Sequence, residues 1–172
     1  MNIALSFNFK SFSIKEFSAS HYTEIELGII NAILICYIYI DKNNPEIKSA
    51  YEKLTNFLEE KHIDDFEIAF NIYYEYLMLC CIQNLDLNMR LELALDTAQL
   101  ALDNGIANKL PFIYYQIALI YTDLGDKENM EEYYSTAIFL YKQIGVPEAY
   151  LNKLIANREE CRKIVENPEA YR

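Results

Sequence analysis

Apolar residues recur at intervals of three and four along most of this chain. That is the period of a helix that buries one face. Helix starts and stops stand between the apolar runs. Ser13 with Glu16, and Thr23 with Glu26, have capping-box spacing, a hydroxyl followed three residues later by an acid. They predict a helical pattern from Ser13 and a first long helix from about Ser20 to Ile40. Asn44-Pro45-Glu46 sets an N-cap residue, then a proline whose missing N–H costs nothing in the first turn, then an acid at the positive end of the helix dipole. It opens a helix to about Lys61, and Asp64 with Glu67 opens one to about Gln83. Asp86 to Asn88 begins a helix that stops at Asn104-Gly105, and the next runs from about Asn108 to Leu124 and stops at Gly125. Asp126 caps a helix ending at Gly145; Pro147 starts the last, which fades near Asn167-Pro168.

Seven long helices with short connections describe consecutive antiparallel hairpins. Gly105 and Gly145 lie 40 residues apart with Gly125 midway, the rhythm of a two-helix repeat. Each hairpin has one more apolar face than it can bury alone, so hairpins stack into a superhelix. The expected fold is therefore all-α, a single repeat domain over 13–172. Residues 1–12 alternate loosely, carry no helix signal, and read as an irregular linker remnant.

Composition narrows the class. Hydrophobic residues make up 52 % of the 172, which excludes disorder, and only four Gly and four Pro occur, too few for the turns of an all-β fold. The formal net charge of −11 disfavours direct contact with nucleic acid or an anionic membrane, because both carry negative charge. Lys153, Arg158, Arg162 and Lys163 gather near the C-terminus, but Glu159 and Glu160 stand among them, and a solvated helix face is expected. The longest apolar run, Leu27 to Ile40, is too short to cross a bilayer and contains Asn31, so it reads as a core helix. A buried amide there needs a partner, and a bond to a neighbouring helix is expected ahead of a ligand. Cys36, Cys80, Cys81 and Cys161 lie within apolar helical patterns and form no CxxC. They are expected to be buried free thiols of a cytoplasmic protein.

Enzyme chemistry finds no foothold. His21 and His62 have no Cys or second His at ligand spacing, so neither a metal nor a cofactor is expected. Glu24/Glu26 and Glu59/Glu60 lack a partner that tunes a general acid, and no phosphate loop or activated nucleophile is present.

Tyr114 to Ala137 resembles a tetratricopeptide repeat. Tyr114 stands at the large aromatic position, Ile117-Ala118 at the Leu-Gly pair, and Tyr121 at the tyrosine. Leu124-Gly125-Asp126 matches the turn, and Tyr134 and Ala137 match the aromatic and small positions of the second helix. Met130 departs from the usual small residue, and the closing proline is missing at Lys142. The preceding hairpin, Ile68 to Leu102, keeps only the small residues Ala94, Ala98 and Ala101. The layout FSASHYTEIELGIINAILICYIYI, then a hairpin, then one clear repeat, also resembles the C-terminal domain of Rgg/PlcR-type quorum-sensing regulators over roughly 13–166.

The resemblance implies a right-handed superhelix and a cytoplasmic sensor holding a short peptide or protein segment in its concave groove. It implies a homodimer, with DNA reached only through an N-terminal helix-turn-helix domain missing from this chain. The alternative is a repeat adaptor for a protein partner with no peptide signal. In stacked hairpins of this type the first helix of each pair lines the groove. The expected peptide-facing residues are Asn71, Tyr74, Glu75 and Met78 on one helix, Tyr115, Gln116, Leu119 and Thr122 on another (with Phe112 and Asp123 on that face), and Asn152 and Lys153 on the last. Asn and Gln satisfy both backbone groups of an extended peptide, and Tyr supplies shaped apolar contact. The same tyrosines also suit packing between hairpins. Self-association is expected through the first helix, whose apolar run has surface for two sides.

Overall fold

The computed structural model describes residue 14 and residues 22–61 and 65–170 of the chain. The irregular segment 1–12, the Ser13/Glu16 cap, Ser20, both histidines and Asp64 lie outside the described residues. Those described form seven long helices and a short 3-10 turn: α1 Glu24–Ile40, α2 Pro45–Lys61, α3 Phe66–Ile82, α4 Leu87–Asp103, α5 Leu110–Leu124, α6 Lys127–Gln143 and α7 Glu148–Glu166, with Pro168–Ala170 after α7. The fold is all-helical, as the periodicity requires.

The starts follow the expected chemistry. Thr23 and Glu26 form a complete capping box, so α1 begins at Glu24 rather than near Ser20. Asp86 accepts from the N–H groups of Asn88 and Met89, and Asp126 from that of Asn129. The cap of α3 is Asp65, not Asp64: its carboxylate accepts from the N–H groups of Glu67 and Ile68. Two consecutive aspartates offer the same cap one residue apart, and spacing alone does not choose between them.

The stops share one geometry. Gly105, Gly125 and Gly145 have φ of 69°, 75° and 74°, and Asn84 after α3 has φ of 50°. Behind each glycine the next N–H reaches back to the carbonyl five residues earlier: Ile106 to Ala101 at 2.8 Å, Asp126 to Tyr121 at 2.9 Å, Val146 to Tyr141 at 3.3 Å. Each glycine N–H bonds the carbonyl three residues back. This is the Schellman closure, made three times at an interval of 20 residues.

The chain divides into two compact units, 1–84 and 85–172. α3 and α4, expected as one hairpin, therefore belong to different units. In the first unit α1, α2 and α3 pack against one another. α2 presents an apolar stripe, Ile47, Ala50, Tyr51, Leu54, Phe57 and Leu58. The buried amide of Asn31 is bonded as expected: Tyr51 Oη donates to Asn31 Oδ1 at 3.0 Å, and the Tyr51 ring stacks on Tyr76 at 5.6 Å. Burial raises the pKa of both phenols, which stay protonated and serve as donors.

In the second unit α5 is central, touching α4, α6 and α7, and α6 also packs on α7. Three polar pairs fix the α6–α7 direction. Lys127 meets Glu166, Glu131 meets Arg162, and Ser135 meets Arg158, one turn down α6 for each turn back along α7. The pair is antiparallel.

A Cβ at Gly125 would meet nothing within 4 Å, so its requirement lies in the backbone alone. Gly125→Ala is expected to lower stability by about 1–2 kcal/mol through the left-handed residue. Urea unfolding at unchanged m-value measures it.

Candidate functional site

The α5–α6–α7 core of the second unit is built from small residues that admit close approach and aromatics that fill beside them. Ala118 and Ala137 are fully buried, as are Met130 and Tyr134. The flexible Met130 side chain fills the space beside Ala118, Tyr134 and Cys161. Tyr134 Oη lies 3.3 Å from Cys161 Sγ, and burial raises the phenol's pKa. Tyr115 meets the Tyr134 ring edge-on at 5.6 Å, and Leu119 packs on the same cluster. A second cluster of Tyr141, Leu151 and Leu154 takes Phe112, Tyr115 and Val146.

Tyr115 therefore bridges both clusters, while its hydroxyl accepts from Asn157 Nδ2 at 3.3 Å. Asn157 lies on α7 about one repeat beyond Tyr115, and it was not among the expected site residues. Its contact with Tyr115, together with the approach of Thr122 and Asp123 to Ile164 and Val165, sets α5 and α7 side by side and parallel.

The remaining expected residues fall as follows. Gln116 is half-buried on α5, and Asn152 and Lys153 are exposed on α7. Thr122 is 6 % exposed and its hydroxyl donates to the Ala118 carbonyl at 2.9 Å. In the first unit Asn71, Tyr74, Glu75 and Met78 share one face of α3: Asn71 is exposed and the others half-buried. Tyr74 stacks on Phe70 at 5.8 Å, and burial, then the neighbouring Glu75 charge, raises its pKa.

Two charged features depart from the expected surface. Arg90 holds a position in the buried stripe of α4 with Leu93, Ala94 and Ala101, and its guanidinium pairs with Asp123 at 3.9 Å. Arg158 and Arg162 are not simply solvated: Glu131 of α6 binds Arg162, which also donates to Glu159 at 2.7 Å. The Arg162 hydrogen bond holds the Glu131 carboxyl below the usual carboxylate range. The thiols differ too. Cys80 and Cys161 are buried and Cys81 half-buried, but Cys36 is exposed, and all are free. α1 is apolar around its whole circumference, so its pattern does not say which side faces in.

At the C-terminal end of the α5–α7 pair, Thr122, Asp123, Leu124, Gly125, Ile164, Val165 and Pro168 line a pocket of about 400 Å³. Among the described residues no group of three His, Cys, Asp or Glu side chains gathers as a metal site, and no helix is long and apolar enough to cross a membrane.

The lowered Glu131 pKa gives stability that is present above the usual carboxylate value and lost as pH falls through the depressed one. Acid unfolding of the parent chain is therefore expected to steepen below pH 4.5, the ordinary glutamate value. Glu131→Gln should flatten that segment, as followed by circular dichroism. Comparison of the chain with protein-family models, with curated proteins and with solved structures returned no match.

Proposed function

We propose that this chain is a peptide-binding sensory domain of a bacterial transcriptional regulator. The parallel α5–α7 pair carries the reading. Along its length stand aromatic and aliphatic side chains already half-ordered by packing, Tyr115 and Leu119, beside the amides Gln116, Asn152 and Asn157. Amides of this kind bond both the N–H and the C=O of an extended guest. Side chains held by their neighbours lose little further entropy on binding. Asn71, Tyr74, Glu75 and Met78 offer a second row of the same character on α3, within its own unit. The regulator context rests on the likeness to Rgg/PlcR-type domains.

Self-association belongs to the same reading. Ile25, Ala32, Cys36, Tyr39 and Ile40 are exposed on α1, Tyr39 by 87 % and Ile40 by 79 %, and no charged residue occurs from Leu27 to Ile40. A chain of net charge −11 meets its copy most readily where neither carries charge.

Calorimetry with a pool of short apolar peptides is expected to give binding in the micromolar range. Gln116→Ala should weaken it by about tenfold at unchanged thermal stability, since one buried amide pairing is worth about 1.4 kcal/mol. A silent titration contradicts the proposal, and capture of one large protein partner with no peptide effect supports the adaptor reading instead. Light scattering at concentrations of tens of micromolar is expected to give a dimer, and Tyr39→Glu to give a monomer. A monomeric parent chain rejects the α1 interface.

A further inference from the structure

The pocket at the end of the α5–α7 pair has an unusual hydrogen-bonding inventory. Its lining comes from the last turns of two parallel helices and the residues just beyond them. The N–H groups of Thr122, Asp123, Leu124, Ile164 and Val165 lie inside helices, where they are consumed by the carbonyls four residues back. Gly125 N–H is spent on the Thr122 carbonyl, the Thr122 hydroxyl proton on the Ala118 carbonyl, and Pro168 has none. Every donor that these seven residues possess is thus engaged within the chain.

Acceptors are left over. The final carbonyls of a helix have no intrahelical partner. The Gly125 closure takes up those of Tyr121 and Thr122, leaving Asp123 and Leu124 outside it. At the end of α7 the Asn167 N–H takes up Lys163, leaving Ile164 and Val165 outside that bond. The Asp123 carboxylate adds an acceptor whose side chain is 52 % exposed, with Arg90 behind it at 3.9 Å and 6 % exposed. Lys127, two residues beyond Gly125 in sequence, is paired with Glu166. Both helix dipoles direct their negative ends to this place. Leu124, Ile164, Val165 and Pro168 contribute apolar wall.

We propose that this pocket takes the basic side chain, lysine or arginine, of a peptide or protein partner. The aliphatic stem of such a residue lies along apolar wall while its head needs only acceptors. A volume of about 400 Å³ admits one long side chain with its flanking backbone. An anion or a neutral acceptor finds no donor among the lining residues. The inference borrows from the peptide-binding proposal only the carrier of that side chain, and its test needs no peptide.

The probe is N-acetyl-arginine methylamide, titrated into the ¹⁵N-labelled full chain to concentrations on the order of 10 mM, as a weak single-residue ligand demands. Saturable shifts are expected at the amides of Thr122, Gly125, Ile164 and Val165, and none with the neutral isostere N-acetyl-citrulline methylamide. Asp123→Asn should weaken binding about tenfold. Val165→Trp should abolish it by filling the pocket; if that chain does not fold, Thr122→Val, which removes one acceptor, should weaken it. Equal response to the citrulline probe, shifts confined to other residues, or no saturable shift overturns the proposal. A negative result with this probe leaves the α5–α7 peptide proposal standing, because the peptide titration and Gln116→Ala test that separately.

Discussion

A left-handed residue after every helix from α3 to α6 controls this structure. An L-residue with a side chain resists that conformation, and glycine does not. With Gly105, Gly125 and Gly145 placed 20 residues apart, the second unit reverses direction at fixed intervals. Helices of similar length, 17, 15 and 17 residues from α4 to α6, stand between the reversals, and α7 runs parallel to α5. The closures also satisfy carbonyls that would otherwise end each helix unbonded. Asn84, the one non-glycine of the series, carries the last left-handed backbone before the boundary between the two compact units.

Given that rhythm, packing in the second unit turns on residue size. Ala118 and Ala137 let helices approach, and Tyr134 and Met130 fill the space beside them. Tyr115 is then pinned from two sides, against Tyr134 and against the Leu151–Leu154 cluster, with Asn157 on its hydroxyl. Of the two roles expected for Tyr115, groove contact and packing between helices, the packing is the one seen. A tyrosine serves such a position because its ring packs on both faces while its hydroxyl keeps a polar partner. The same arrangement leaves the α5–α7 pair with amides along its side and unspent carbonyls at its end.

Local signals in the sequence account for most of the fold. Thr23/Glu26, Pro45, Asp86, Asp126 and the three glycines each act within a few residues of themselves, so their meaning survives without knowledge of the partners. What escaped was non-local or degenerate. Asp64 and Asp65 offer the same cap. α1 is apolar on every side, so the exposure of Cys36 depends on where α2 and α3 pack. Glu131 meets Arg162 across 31 positions of sequence, and no local spacing announces it. Arg90 is a partial exception: its place three and four residues before Leu93 and Ala94 sets it in the buried stripe of α4. The contact of Asn157 with Tyr115 spans 42 positions, and no local spacing announces it either.

The α5–α7 pair presents its side chains in register on two parallel helices. On the proposed function, the α5–α7 pair of the second unit takes the extended guest. Hydrogen–deuterium exchange of the full chain, with and without a peptide pool, tests it most directly. Added protection is expected only in peptides covering Phe112 to Leu119 and Asn152 to Asn157. Protection on the opposite faces of α4 and α6, with α5 and α7 unchanged, would contradict it.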